Sequence, residues 1–315
     1  MKSNDVALVY GECLSSYGFD HPHPFSRERL GAFWAELKKR GLDKKLDLLK
    51  PLKCKENDLL SFHTVSYIDR LKLKSQTGSG FIDDGDTPAY KGVYDASLLV
   101  AGSALLMLKQ VMLGNYKKAF LPIGGLHHAV RDNAAGFCAV NDIALVAESL
   151  RSQYGLSKIA YIDIDAHHGD GLFYPYENDP FLIFADIHQS PETLYPGTGF
   201  DYEDGKGNAK GLKLNLSLKP GDGDRAFENQ WEKVEKHLLD KRPEFILFQC
   251  GADSLGGDPI TQLELSSKSF SLAARSLCDF ADKFCDGKLL AFGGGGYNLN
   301  NIAEGWNSVL EEILR

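Results

Sequence analysis

Seven short apolar runs are spread along this 315-residue sequence, and most of them stop at Gly, Asp or His. The runs are rich in β-branched and aromatic residues, as buried strands are. Helical patterns separate many of them. Strands that are apolar on both faces and alternate with helices predict a mostly parallel sheet covered by helices on each face. The predicted strands are 6–10, 119–124, 159–165, 181–187, 212–218, 245–252 and 288–294, and the helices are 26–41, 97–114, 225–241 and 267–284.

We expect one domain over residues 1–315, because no Pro/Ser-rich linker or internal repeat divides the chain. With 43% hydrophobic and 25% charged residues, and no apolar stretch near the length of about 20 residues that spans a membrane, the chain is expected to be soluble. A net charge of −8 argues against direct nucleic-acid binding. The N-terminal apolar run is too short for a signal peptide, and six scattered cysteines suit reduced thiols, so a cytoplasmic location is expected.

Polar side chains follow several of the predicted strands. The tandem pair His127 and His128 follows the second strand, Asp253 follows the sixth, and Tyr297 follows the last. In an open parallel sheet the ligand site lies beyond the carboxyl ends of the strands. These side chains are therefore expected to converge on one crevice although they are far apart in sequence.

The stretch YIDIDAHHGDG is the most informative of these strand ends. Because strand side chains alternate, Asp163, Asp165 and His167 are expected to share one face. A carboxylate and an imidazole two residues apart can bind one metal ion, with Asp253 as a third ligand from a neighbouring strand. This set suits a catalytic zinc with an open coordination position, although ferrous iron or manganese would also fit. The alternative is that the two aspartates cap a turn and the histidines are solvated; the repeated polar clusters favour the metal site.

Hydrolysis at an open metal position also needs a base and an acid. His127 and His128 are suitable, with Asp163 and Asp170 available to fix their tautomers. The glycine-rich FGGGGYN lacks the spacing of a phosphate-binding loop. As a flexible platform it would let the Tyr297 hydroxyl stabilise an oxyanion.

The motifs GGLHHA, GFCAVND, DIDAHHGDG, LYPGTG, GADSLGGDP and GGGGYN together resemble the zinc-dependent histone deacetylase family, which has the arginase–deacetylase fold. The N-terminal YGFDHPHPFSRERL is similar to the bacterial acetoin-utilisation-type branch. The resemblance implies a three-layer α/β/α domain of the α/β class, with an eight-stranded, mostly parallel sheet and a substrate tunnel at the strand ends.

Roles follow from the resemblance position by position. It implies Asp165, His167 and Asp253 as zinc ligands and His127 and His128 as the catalytic dyad, backed by Asp163 and Asp170, with His128 as the general base and acid. Tyr297 would polarise the substrate carbonyl. The residues implied to contact substrate or product are Asp86, Gly136, Phe137, Tyr195, Ile260 and Arg29. A structural potassium ion is implied at Asp163, Asp165, His167, Asp186 and Ile187, where Asp186 replaces the serine of many eukaryotic members.

The implied reaction is hydrolysis of N6-acetyl-lysine in proteins or peptides to lysine and acetate. Acetylated polyamines are the alternative substrates; Ile260 favours acetyl-lysine, because polyamine-selective members can carry a glutamate at that position. Arginase-like hydrolysis at two manganese ions is disfavoured, since Asp253-Ser254-Leu255 lacks a second aspartate. A non-catalytic reader of acyl-lysine is also disfavoured, because no ligand is missing. The sequence does not decide between a monomer and a homo-oligomer.

Overall fold

A computed structural model of the protein describes residues 5–83 and 85–315. Its described part contains one eight-stranded sheet in the order β2-β1-β3-β8-β7-β4-β5-β6, and every strand pair is parallel. The predicted eight-stranded parallel sheet is confirmed. The strands are β1 (Val6–Val9), β2 (Asp47–Leu49), β3 (Lys118–Leu121), β4 (Ile159–Asp163), β5 (Leu182–Gln189), β6 (Lys213–Leu218), β7 (Ile246–Gln249) and β8 (Leu289–Phe292).

The helices pack in two groups, as expected for layers on the two faces of a sheet. One group joins α1 with α7, α8 and α9, and the other joins α2, α3, α4 and α5. The bounds are α1 (Arg29–Lys39), α2 (Glu56–Leu59), α3 (Val65–Thr77), α4 (Val93–Met112), α5 (Asp142–Ser152), α6 (Asp170–Phe173), α7 (Asp224–Lys241), α8 (Ser267–Phe284) and α9 (Leu299–Ile313).

Helix α4 is long and apolar enough to span a membrane by length and composition alone. However, 61% of its most apolar window is buried inside the protein, and the helix contacts β1 and β3. Its apolar surface is therefore explained by packing against the sheet.

Strand order explains how distant polar residues meet. The strands β3, β8, β7 and β4 are consecutive neighbours in the middle of the sheet. Because all four are parallel, their carboxyl ends lie at the same edge. The segments after these strands carry His127, Tyr297, Asp253 and Asp165 respectively.

Candidate active site

The side chains of Asp165, His167 and Asp253 form a buried cluster at the ends of β4 and β7. One ligand atom from each residue lies within 4.8 Å of the other two. His167 Nδ1 is 3.0 Å from Asp165 Oδ1 and 3.1 Å from Asp253 Oδ2. Two carboxylates and one imidazole directed at a single point form a donor set that suits a divalent cation.

In both aspartates of this cluster, hydrogen bonds hold the carboxylate oxygen that does not face His167 Nδ1. Asp165 Oδ2 accepts hydrogen bonds of 2.8 Å from the Gly295 amide and from Gln249 Nε2. Asp253 Oδ1 accepts one of 2.9 Å from the Ala166 amide. A side chain at residue 295 is excluded, because a Cβ there would stand 2.1 Å from Asp253 Oδ2. One oxygen of each carboxylate therefore stays directed at His167, so the residues fit a bound cation.

Burial and charge shift the pKa values of this cluster strongly. Burial and the neighbouring Asp165 raise the pKa of Asp253 to about 7. Burial opposes protonation of His167, but hydrogen bonds to Asp165 and Asp253 raise its pKa to about 10. The two carboxylates therefore favour a positive charge at this point, which a bound cation would supply.

The histidine pair lies beside this cluster. The Nε2 atoms of His127 and His128 are 3.0 Å apart, and His127 Nε2 is 4.0 Å from Asp165 Oδ1. His127 Nδ1 lies 2.8 Å from Asp163 Oδ2, and His128 Nδ1 lies 2.6 Å from Asp170 Oδ1. Burial, followed by the charge of His127, lowers the pKa of His128. His128 is thus held as a neutral imidazole that can accept a proton.

The turn before the histidine pair is held by the first residues of α5. Asp142 accepts hydrogen bonds of 3.0 Å from the Gly125 amide and 2.8 Å from the Leu126 amide. Asn141 caps α5 through the Ala144 amide and donates to the carbonyl of Ala129 at 2.9 Å. Neither residue was predicted to have a function, although Asn-Asp at a helix start is a recognisable capping signal.

Tyr297 approaches the cluster from the segment after β8. Its ring centroid is 6.4 Å from that of His167, and its amide donates a 2.8 Å hydrogen bond to Asp258 Oδ2. Burial and the charge of Asp253 raise its pKa well above the ordinary tyrosine value. The hydroxyl therefore stays protonated and available as a donor. Asp258, which fixes this backbone, was missed in the sequence because an aspartate before proline resembles an ordinary turn residue.

Aromatic residues connect the histidine pair with the surface. The Tyr195 ring packs edge-on against His128 at 5.2 Å and is 43% exposed. The Phe137 ring lies 5.9 Å from that of Tyr297. Gly136 has a left-handed backbone (φ 52°), and a Cβ there would lie 2.3 Å from His128 Cδ2. The chain therefore passes closely over His128 only because residue 136 is glycine.

The rim residue Asp86 is linked to this aromatic wall. Its Oδ1 accepts a 2.9 Å hydrogen bond from the hydroxyl of Thr87, which in turn accepts 3.1 Å from the Phe137 amide. Burial and Asp83 raise the pKa of Asp86 to about 6. Ile260 is 36% exposed, and its amide donates to Asp258.

Arg29 lies on the inner side of the glycine-rich segment. The residue is buried, with only 1% exposed. It donates from Nε to the Gly296 carbonyl at 3.0 Å and from Nη2 to the Gly294 carbonyl. A buried cation thus holds the backbone just before Tyr297; the role in acetate release that the resemblance implies stays a prediction.

Asp186, predicted as a potassium ligand, already has two partners within the protein. Its Oδ1 lies 2.8 Å from His188 Nδ1, and its Oδ2 accepts a 2.8 Å hydrogen bond from the Gly169 amide. On β5 it pairs with Asp163 of β4, and Ile187 follows it. These contacts compensate the extra carboxylate that replaces serine; potassium binding stays a prediction.

Gln249 is a further buried residue without a predicted role. Besides its bond to Asp165, its Nε2 lies 3.3 Å from His127 Nδ1, and its Oε1 accepts a 2.6 Å hydrogen bond from the Gly251 amide. It therefore connects a candidate metal ligand with the histidine pair. A lone glutamine at the end of an apolar strand gave no distinctive signal in the sequence.

Replacing Gln249 with leucine is expected to weaken divalent-metal binding by about 10- to 100-fold, the usual cost of removing a partner of a metal ligand. Asp165 Oδ2 would lose one of its two hydrogen-bond donors. A competition titration with a metal chelator measures this. Gln189→Leu is the matched control, since Gln189 is also buried but contacts Thr193 and Gln262. Equal metal affinity in the wild type and in Gln249→Leu would contradict the assignment.

The chain is similar to known proteins over most of its length. A sequence profile described as a histone deacetylase domain matches residues 23–313. A probable deacetylase of Archaeoglobus fulgidus is 36% identical over 93% of this chain and 82% of its own length. The acetoin utilization protein AcuC of Bacillus subtilis is 31% identical over 94% of this chain and 78% of its own length.

A eukaryotic deacetylase and a solved structure are similar as well. Histone deacetylase clr6 of Schizosaccharomyces pombe is 32% identical over 96% of this chain and 75% of its own length. The crystal structure of the HDA15 HD domain superposes with a TM-score of 0.88 and 26% identity, covering 99% of this chain and 88% of that one. The similarity thus extends over nearly the whole chain in sequence and in structure.

Proposed function

The chain belongs to the histone deacetylase family, and we propose that it is a zinc-dependent hydrolase that removes the acetyl group from N6-acetyl-lysine in proteins or peptides. The observation that carries the proposal is the buried Asp165–His167–Asp253 cluster with the histidine pair and Tyr297 beside it. A cluster of this kind, reached from the surface along aromatic side chains, suits an amide on a slender alkyl chain.

Asp165, His167 and Asp253 would hold the zinc ion, which supplies a Lewis acid that polarises the amide carbonyl and lowers the pKa of a water molecule. His128 is placed to take the proton of the attacking water on Nε2, because Asp170 occupies its Nδ1. The same Nε2 then delivers the proton to the departing lysine amine. His127, between His128 and Asp163, would stabilise the charge that this transfer creates.

Tyr297 would donate its hydroxyl proton in a hydrogen bond to the oxyanion that forms on the former carbonyl. Its raised pKa keeps that donor protonated throughout the neutral range. Arg29, behind the glycine-rich segment, supplies a cation toward which the acetate product can leave. Phe137 and Tyr195 would exclude water along the lysine side chain.

Two features favour acetyl-lysine over acetylated polyamines. Ile260 offers no charge to the distal ammonium of a polyamine, and Asp86, which lines an open groove together with Tyr195, would accept a hydrogen bond from a substrate backbone amide. Acetylated polyamines remain the alternative substrate class, because Asp83 and Asp86 also place carboxylates at the rim. All six cysteines are unpaired thiols, which supports the proposal that the enzyme acts in the reducing cytoplasm.

A substrate panel on the zinc-loaded protein tests the proposal. Acetyl-lysine peptides should release acetate and free lysine with a higher kcat/KM than N-acetylated polyamines. Peptides with propionyl- or butyryl-lysine define the acyl length that the pocket admits. A clear preference for the polyamine would replace the proposed substrate, and no release from any of these amides would refute deacetylation.

A further inference from the structure

An open groove runs outward from the rim beside Asp86. Its inner part, with a volume of about 420 Å³, is formed by Asp83, Gly85, Asp86, Asn133, Ala134, Ala135 and Tyr195. Its outer part, of about 640 Å³, is formed by Arg70, Lys74, Phe81, Ile82, Asp83, Val130, Asp132 and Asn133. Both parts are lined by Asp83 and Asn133, so they are adjacent; together they are called the rim groove below.

Two cations of α3 face the outer part of the rim groove. Arg70 and Lys74 are four residues apart and therefore lie on one side of the helix. Within residues 5–83 and 85–315, no carboxylate lies within 4.0 Å of either side chain. Lys72 of the same helix is instead paired with Glu56 and Asp69. Among the described residues, Arg70 and Lys74 therefore have no carboxylate partner.

The guanidinium of Arg70 is held in place by neutral acceptors. It donates to the Asp132 carbonyl and at 3.0 Å to Asn133 Oδ1, and it lies 5.1 Å from the Tyr67 ring centroid. Neither acceptor neutralises its charge. A fixed arginine with remaining donors is well suited to a carboxylate.

The acidic residues of the groove differ in whether their carboxylates are already hydrogen-bonded within the protein. Asp83 turns Oδ1 into its own loop, where it accepts hydrogen bonds from the amides of Gly85, Asp86 and Thr87 at 3.0–3.1 Å. Asp132 is exposed and remains a source of repulsion. Phe81 is 44% exposed and adds apolar surface between the rim and Lys74. The described lining of the groove therefore combines two cations without a carboxylate within 4.0 Å, the three carboxylates of Asp83, Asp86 and Asp132, and an exposed aromatic ring.

We propose that the rim groove is a recognition site for an acidic side chain, Asp or Glu, in the polypeptide that flanks the acetyl-lysine. The inference rests on the proposed deacetylase function and makes it more specific, because it assigns the enzyme to polypeptide substrates with a carboxylate on one side of the modified lysine. Asp86 would hold the substrate backbone at the inner end of the groove. Arg70 and Lys74 would bind the carboxylate at its outer end.

Synthetic acetyl-lysine peptides test this directly. A single Glu is placed in turn at about four positions on either side of the acetyl-lysine, roughly 13 Å of extended chain in each direction. Each peptide is compared with its Gln counterpart on the zinc-loaded protein. Glu should raise kcat/KM about two- to fivefold on one side only, as expected for an exposed ion pair, and added salt should remove the gain.

Charge reversal supplies the decisive variants. Lys74→Glu should abolish the preference for Glu and favour a Lys-containing peptide at the same position, and Arg70→Glu should act likewise. Lys74 is the safer position, since no described contact of its ammonium holds the fold. Lys233→Glu on α7 is the matched control, because its exposed ammonium contacts only Gln230 among the described side chains.

The outcomes separate the two proposals. Hydrolysis of neutral acetyl-lysine peptides with equal rates for Glu and Gln would overturn the recognition site and leave the deacetylase function standing. A Glu preference that survives Lys74→Glu and Arg70→Glu in folded protein would also overturn it. No hydrolysis of any acetyl-lysine peptide would refute the proposed function itself.

Discussion

Replacing Asp253 with alanine is expected to lower kcat/KM by about 10³-fold or more and to abolish tight zinc binding. The ion contributes several kcal/mol of transition-state stabilisation, and each 1.36 kcal/mol corresponds to about a factor of ten in rate. Asp253 is one of only three protein donors at the cluster. Its removal leaves an aspartate and a histidine, which is too few to hold zinc in a catalytic site.

Zinc content after dialysis and peptide deacetylation together measure this effect. Asp253→Asn separates charge from shape, since the amide retains an oxygen of similar geometry but loses the negative charge; we expect intermediate metal affinity. Asp240→Ala is the matched control, because Asp240 is exposed on α7 and its one described ion pair is with Lys236 at 3.8 Å. Full activity in folded Asp253→Ala protein without zinc would exclude a metal-dependent reaction at this cluster.

The central strands could be predicted from the sequence because they are buried on both faces. All seven predicted strands are present. The parallel sheet was predicted correctly because helices alternate with these strands along the chain. Strand β2 was missed because it has only three residues and lies at the sheet edge, where its side chains are partly exposed. No continuous apolar run marks such a strand.

Several helices were missed, and the start of another was misplaced. Helix α5 buries eight of its eleven residues, so it lacks the polar face that produces a helical period. Helix α4 begins at Val93, four residues before the predicted start, because Gly92 and Tyr90 precede it without a clear capping signal. Helix α9 was not among the predicted helices although it has a strong apolar face.

The candidate metal ligands were easier to predict from the sequence than the residues that hold them in position. Asp165, His167 and Asp253 are polar residues at the ends of apolar strands, which is an unusual position for a charged group and therefore an informative one. The residues that were missed position the site through hydrogen bonds to backbone groups or to other polar side chains; they are Asn141, Asp142, Asp258 and Gln249. Such contacts depend on which loops meet in space, and local sequence patterns do not contain that information.

His128→Ala is expected to lower kcat by about 10²- to 10⁴-fold, the range for loss of a general acid and base. His127→Ala should cost less, on the order of 10²-fold, as for removal of one electrostatic group. The two variants are matched, because both remove a buried imidazole paired with an aspartate. Steady-state kinetics on an acetyl-lysine peptide, with zinc content measured in parallel, distinguishes them; a larger loss for His127→Ala would reverse the assigned roles.

The pH profile of kcat/KM provides an independent test of the roles assigned to His128 and His127. His128 must be neutral to accept a proton, and burial, followed by the charge of His127, lowers its pKa. The acidic limb of the kcat/KM profile should therefore lie below the ordinary histidine value of about 6.5. Asp170 favours the protonated form of His128, so Asp170→Asn should move this limb to still lower pH while reducing kcat, because the Nδ1 partner that fixes the tautomer is altered. An unchanged limb in Asp170→Asn would mean that a group other than His128 sets the profile.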